Sequence, residues 1–192
     1  MPEPMIRGHV IQQTVRFFRG ECDPELALRI DAALPLQLKA ELRELVPGDW
    51  YPRRHEVEIL QAIAYVHGDE DSARRSLLRC GASMAVGNNE FMKLLTRVLT
   101  PELFMKKLTS FWNRDHKDSG GYRLDRVDLD ARSASLSLSG VAGYAHSGLI
   151  WHGWIEQIFR EICGAGCEVR QQGWTWSNPS PDEIKYEVGW TT

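Results

Sequence analysis

The sequence is poor in the features that announce a chemistry. Its six histidines, His9, His55, His67, His116, His146 and His152, form no His-x-x-x-His or His-Glu-x-x-His pair, so the helical zinc motif is missing. There is no Gly-x-Gly-x-x-Gly, no phosphate loop ending in Gly-Lys-Ser/Thr and no Gly-x-Ser-x-Gly elbow. Catalysis would need a site without a local signature. The four cysteines, Cys22, Cys80, Cys163 and Cys167, lack the spacing of a metal cluster and are expected as free thiols in a reducing compartment. A net charge of −3 and the lack of a basic run remove the electrostatic reason to bind nucleic acid. No apolar run is long enough to span a bilayer. Met1-Pro2-Glu3-Pro4 does not open like a signal peptide, so a cytoplasmic chain is expected.

What the sequence has is pattern, and most of it lies between Tyr122 and Trp190. Ile184, Tyr186, Val188 and Trp190 alternate with Glu183, Lys185, Glu187 and Gly189, as in a half-buried antiparallel strand. The turn formers Ser177 to Asp182 precede it, and before them Cys167 to Trp176 reads as its partner strand, with Gly173 breaking phase as at a bulge. A second hairpin pairs Tyr122–Leu129 with Ser133–Ser139 across Asp130-Ala131-Arg132. Its apolar phase slips at Asp125-Arg126. Between the hairpins, Trp151, Trp154, Ile155, Ile158, Phe159 and Ile162 recur at helical spacing, and Gly164-Ala165-Gly166 stops that helix. Such a stripe must bury, and the four-stranded sheet is the nearest surface.

The preceding ~115 residues read as helices from caps and periodicity. Val10 to Phe18 form the first, ended by Gly20. Asp23-Pro24-Glu25 caps a second, with Leu26, Ile30, Ala33 and Leu34 facing inward, and Pro35 opens a third through Leu38, Leu42 and Leu45. Asp49-Trp50-Tyr51-Pro52 is a connector into a helix that stops at Gly68. The next helix, from Asp69 to Ala85, is rich in small residues that allow close helix contact. Gly87-Asn88-Asn89 ends it, and Phe91, Leu94, Leu95 and Val98 form a short helix. Thr100-Pro101-Glu102 caps the last helix, through Trp112, and polar Asn113–Gly121 reads as the hinge to the sheet. At 192 residues the expectation is one α+β domain: a helical part over 1–115 packed on a four-stranded antiparallel sheet with one helix over 121–192.

This order of elements resembles the fold shared by heme-nitric-oxide-binding domains, 4-vinyl-reductase-type domains and TRAPP-like trafficking proteins. More closely it is similar to an uncharacterised myxobacterial protein family, on Arg7-Gly8 before the first helix, Trp50-Tyr51-Pro52, the Gly81–Ala85 helix and the ending Tyr186-Glu187-Val188-Gly189-Trp190. The resemblance implies a regulatory or ligand-binding module, often dimeric, and not a catalyst. It also implies a test for heme. Heme-binding relatives carry a proximal histidine on the last helix before the sheet, whereas Pro101 to Trp112 has none and His116 lies beyond. They also carry Tyr-x-Ser-x-Arg on an early strand, where this chain reads Ser133-Ala134-Ser135-Leu136-Ser137-Leu138-Ser139. No cofactor is therefore expected. The expected function is a non-enzymatic ligand-binding or sensory module. Its helix–sheet cleft, walled by Trp112, Tyr122, Trp151 and Trp154, would hold a small apolar ligand or close into a core. The alternative is a dimeric interaction scaffold for a second copy or another protein.

Overall fold

The computed structural model describes residues 2–86, 99–141, 143–164, 166–173 and 182–191. The short helix expected over Phe91–Val98, its glycine-asparagine stop, and Trp174 and Trp176 lie outside the described residues.

A strand β1 (Met5–Arg7) leads into α1 (Gly8–Gly20), followed by α2 (Pro24–Ala33) and α3 (Leu36–Arg43). Next come β2 (Trp50–Pro52), α4 (Arg54–His67) and α5 (Glu70–Val86). After the undescribed stretch, α6 (Pro101–Asp115) runs into β3 (His116–Lys117), and the hairpin β4 (Gly121–Asp128) and β5 (Ser133–Ser139) follows. The helix α7 (Ala145–Cys163) and the pair β6 (Cys167–Gln172) and β7 (Glu183–Trp190) complete the described chain.

The expected caps are made. Asp23 accepts from the backbone N–H of Glu25 and Leu26 at the start of α2, and Thr100 accepts from Leu103 N–H at the start of α6. Gly68 closes α4 in the left-handed conformation, φ 74°. Ile30 and Leu34 point inward as expected, but Ala33 faces solvent.

The main sheet is antiparallel in the order β4-β5-β7-β6. Its register slips between Leu124 and Arg126, so the apolar phase break in the sequence is a β-bulge around Asp125. Gly173 marks no bulge within a strand: β6 ends at Gln172 and Gly173 bends away with φ 99°. Ala134, Leu136 and Leu138 of β5 and Ile184, Tyr186 and Val188 of β7 are buried against α7 and its neighbours. Tyr186 Oη donates to Gly148 O at 2.9 Å, pinning α7 to the sheet.

Helix α5 crosses the other side of α7 with almost no clearance. A Cβ on Gly81 would stand 1.9 Å from Ile150 O, and one on Gly153 2.0 Å from Leu78 O. The small residues of α5 therefore do what their spacing predicts.

Two expectations are corrected. Trp50–Pro52 is not a loop connector but a strand of a second, three-stranded sheet ordered β2-β1-β3. Asn113–Gly121 is not a hinge: α6 continues to Asp115, and His116–Lys117 pairs with β1. The extra turn is held because Asp115 is buried and tied to α1 through His9. Gly8 follows from the same small sheet, since a Cβ there would lie 2.2 Å from Val46 O, while Gly8 N–H donates to Asp49 O at 2.9 Å.

Candidate functional site

The helical layer meets α7 and the sheet around an aromatic cluster. Trp112 comes from α6, Tyr122 from β4, and Trp151 and Trp154 from α7. Ring centroids are 5.4 Å apart for Trp112–Tyr122, 5.1 Å for Trp112–Trp151, 5.5 Å for Tyr122–Trp151 and 5.0 Å for Trp151–Trp154. The four residues expected to wall a cleft thus stand together, with unequal parts. Trp151 and Trp154 line an open cleft between α1 and α7, together with His9, Val10, Gln13, Glu56, Met84, Phe111, Arg114, Asp115 and Ile150. Trp112 and Tyr122 are packed behind it, and Trp112 Nε1 donates to Gly120 O at 3.1 Å.

Behind the aromatics lies a charged group that periodicity did not suggest. Arg53, at the junction of β2 and α4, has a side chain with no exposed surface, and Glu56, one turn on, is 1% exposed. Arg53 Nε is 3.7 Å from Glu56 Oε2, close enough for an ion pair but not for a good hydrogen bond. The guanidinium is sandwiched, 4.5 Å from the centroid of Tyr144 and 5.1 Å from that of Trp112, and Nη1 donates to Ser119 O. Ser147 Oγ donates to Glu56 Oε2 at 2.8 Å, whereas Glu56 Oε1 has no partner. Burial pushes the Glu56 carboxyl up, and Arg53 and Ser147 pull against it without cancelling the effect.

At the cleft mouth, Arg114 holds Asp115 through both carboxylate oxygens, at 2.8 and 2.6 Å, and His9 Nε2 stands 3.4 Å from it. Burial alone would raise the Asp115 carboxyl, but these partners hold it at about 2.

His116 ends α6 and is 3% exposed. Its ring stacks on Trp112 at 3.9 Å and 9°. Nδ1 is 3.2 Å from Trp112 O. A carbonyl only accepts, so Nδ1 carries the proton and Nε2 the lone pair. Nε2 is buried without a partner. Burial first, and then the Arg53 charge, depress this imidazole to about 3, so it is neutral at physiological pH.

The cysteines offer no reactive counterpart. All four are free, and burial raises each thiol, Cys167 to about 12.

Helices over a four-stranded antiparallel sheet, with an aromatic-walled cleft beside the last helix before that sheet, make an α+β fold. No family model matches the chain, and no curated protein matches it. Solved structures do. An Fe(II) unliganded H-NOX protein from K. algicida superposes with a TM-score of 0.70 at 11% identity, covering 97% of each chain. An S. oneidensis H-NOX protein in the Fe(II)NO ligation state gives 0.66 at 9% identity, covering 97% of this chain and all of that one. A protein studied for heme redox potential and porphyrin distortion gives 0.63 at 9% identity, over 96% and 100%. At these identities the likeness is one of fold.

That fold raises the question of heme, and the described residues do not fit one. His116 has the tautomer a metal ligand needs. Its Nε2, however, faces packed protein, with Trp112 stacked on the ring and Trp151 5.7 Å away. The inner space of the cleft is about 60 Å³, against the ~300–1,000 Å³ of ordinary ligand pockets. The strand β5 presents serines and leucines and no arginine.

His116, Arg53, Glu56 and Ser147 escaped the sequence reading. His116 was visible as a histidine, but its burial depends on the extra turn of α6. Nothing in Arg53-Arg54-His55-Glu56 distinguishes the buried pair from the exposed Arg54 beside it.

Proposed function

We propose that the protein is a non-enzymatic ligand-binding or sensory module of the H-NOX-like fold that works without heme, and that its ligand enters the cleft between α1, α6 and α7. The observation that carries this reading is the closure of the space beside His116 by Trp112, Trp151, Tyr122 and Arg53, while a smaller cleft stays open at their edge. The cleft's acids support a binding rather than a catalytic role. Asp115 is saturated by Arg114 and His9, and Glu56 is neutralised by Arg53.

The test is to produce the protein in a host supplied with heme precursors and to titrate the purified protein with hemin. The expected result is no stoichiometric Soret band. A stoichiometric band that disappears in His116→Ala refutes the heme-free reading.

A second reading, a dimeric interaction scaffold, has for it the exposure of Leu28, Leu36 and Tyr65 on the helical layer, at 72%, 84% and 80%. A monomer by light scattering at high concentration removes the homodimer.

A further inference from the structure

The cleft's chemistry narrows what it would take, and this step rests on the ligand-binding reading above. Its walls are aromatic. Trp151 and Trp154 meet at 61°, and Phe111 and Trp154 at 66° with centroids 6.1 Å apart. Rings at these angles present both faces and edges, which suits a further flat ring.

Its charges cancel. Glu56 is balanced by Arg53, and Asp115 by Arg114 with His9 alongside. Neither an anion nor a cation therefore finds an uncompensated partner, and a charged ligand would lose hydration without recovering it.

Among the residues that line the cleft, one buried polar atom is without a partner. Both oxygens of Asp115 are taken, and Glu56 Oε2 accepts from Ser147. Glu56 Oε1 is buried with no donor. Leaving such an acceptor unmade is costly. A ligand that brings a donor to Glu56 removes that cost.

Size sets the last limit. The cleft's inner space is about 60 Å³. The inner space is smaller than the ~150 Å³ cavity that encloses benzene elsewhere. One ring can enter edge-first, with its outer part between His9 and Arg114 at the mouth.

We propose that the cleft binds a neutral, single-ring aromatic molecule bearing one O–H or N–H donor, of the phenol or aniline class, with its ring among Phe111, Trp151 and Trp154 and its donor on Glu56.

The test uses the full chain and four probes that share one ring: phenol, its methyl ether anisole, benzoate and benzylamine. Toluene serves as a purely apolar control. Binding is followed by calorimetry and by the NMR shifts of the tryptophan indole N–H groups. Phenol is expected to bind at least tenfold more tightly than anisole, benzoate or benzylamine, and to shift the Trp151 and Trp154 signals. Glu56→Gln should bring phenol down toward anisole. Met84→Trp, which fills the cleft from α5, should abolish binding of every probe. If anisole or toluene binds as well as phenol, the donor inference is overturned while the ligand-binding reading stands. If benzoate or benzylamine binds best, the charge argument is overturned. If none of the five binds the wild-type chain, this inference falls while the cleft reading, which names no ligand class, stands. The comparison of phenol with anisole needs no variant, so it stands even where Glu56→Gln does not fold.

Discussion

Replacing Arg53 with methionine tests whether the ion pair under the cleft is buried as described. Methionine keeps the unbranched stem of the side chain but lacks the guanidinium that contacts Trp112 and Tyr144 and donates to Ser119 O, so the change removes charge, stacking and one hydrogen bond together. The Glu56 carboxylate then stays 1% exposed with Ser147 as its sole partner. Breaking one side of a buried pair costs about 3–5 kcal/mol, a large part of the ~5–15 kcal/mol that holds a domain folded. Removing both charges, as Arg53→Met with Glu56→Leu, should cost less, because no lone ion remains. It forfeits the Ser147 bond to Glu56 and the Arg53 bond to Ser119 O, about 1 kcal/mol each. The double variant should therefore be about 1–3 kcal/mol more stable than Arg53→Met alone, so the single variants are not additive. Urea unfolding followed by tryptophan fluorescence, with matched m-values, measures it. The pH dependence gives a second check. Without Arg53, the folded Glu56 carboxyl rises further above its unfolded value. A raised carboxyl contributes stability below the unfolded pKa and loses it as pH rises through the folded one. The single variant should accordingly recover part of its deficit in mild acid. An Arg53→Met cost below ~1 kcal/mol, or additive single variants, would show that the pair is solvated and that the floor of the cleft has been misread.

Two further predictions follow from burial and from close contact. His116 is depressed to about 3 by burial and then by Arg53, so the unfolded chain binds the extra proton first. Stability is full above the ordinary histidine value of about 6.5 and should fall as pH drops toward 3, by up to ~1.4 kcal/mol per pH unit. Between pH 6.5 and 3 the urea midpoint of the wild type should fall relative to that of His116→Phe, while above pH 6.5 the gap stays constant; curves parallel throughout would mean the imidazole is not buried. Gly81→Ala and Gly153→Ala each place a Cβ within 2.0 Å of a backbone oxygen on the facing helix. They should cost about 1–3 kcal/mol or more, whereas Gly20→Ala, with open space around it, should be neutral or slightly stabilising. Equal melting temperatures for Gly81→Ala and Gly20→Ala would contradict the close crossing of α5 and α7.

The parts of the fold legible in sequence were those in which one chain segment carries its own repeat. The alternation at Ile184–Trp190, the stripe on α7 and the phase slip at Asp125 each mapped onto the strand, helix or bulge they described. The three-stranded sheet could not be read in this way. Its strands are Met5–Arg7, Trp50–Pro52 and His116–Lys117, too short to show a period of two, and each is a strand only because the others lie beside it. The site divides along the same line. Large aromatics next to apolar stripes are good candidates for a shared core, and Trp112, Tyr122, Trp151 and Trp154 do meet. The buried charges were illegible for the opposite reason. An arginine beside a helix start is ordinarily solvated, and only the arrival of Ser119, Tyr144 and Ser147 from distant parts of the chain makes Arg53 and Glu56 partners rather than surface charges.

The likeness to H-NOX structures and the chemistry of the cleft can therefore be argued separately. An apolar cavity left empty between α6, α7 and the helical layer would be destabilising. Side chains filling it must be large, and their polar atoms must find partners within reach. Trp112 meets both demands, stacking on His116 and donating to Gly120 O. Arg53 meets them in part, since its Nη1 is bonded while its Nε and Nη2 lack hydrogen-bond partners. Glu56 is the acid that balances this arginine; it lines the cleft, and its Oε1 has no partner. On the proposed reading, that unmade bond is the feature a small donor-bearing ligand would recognise.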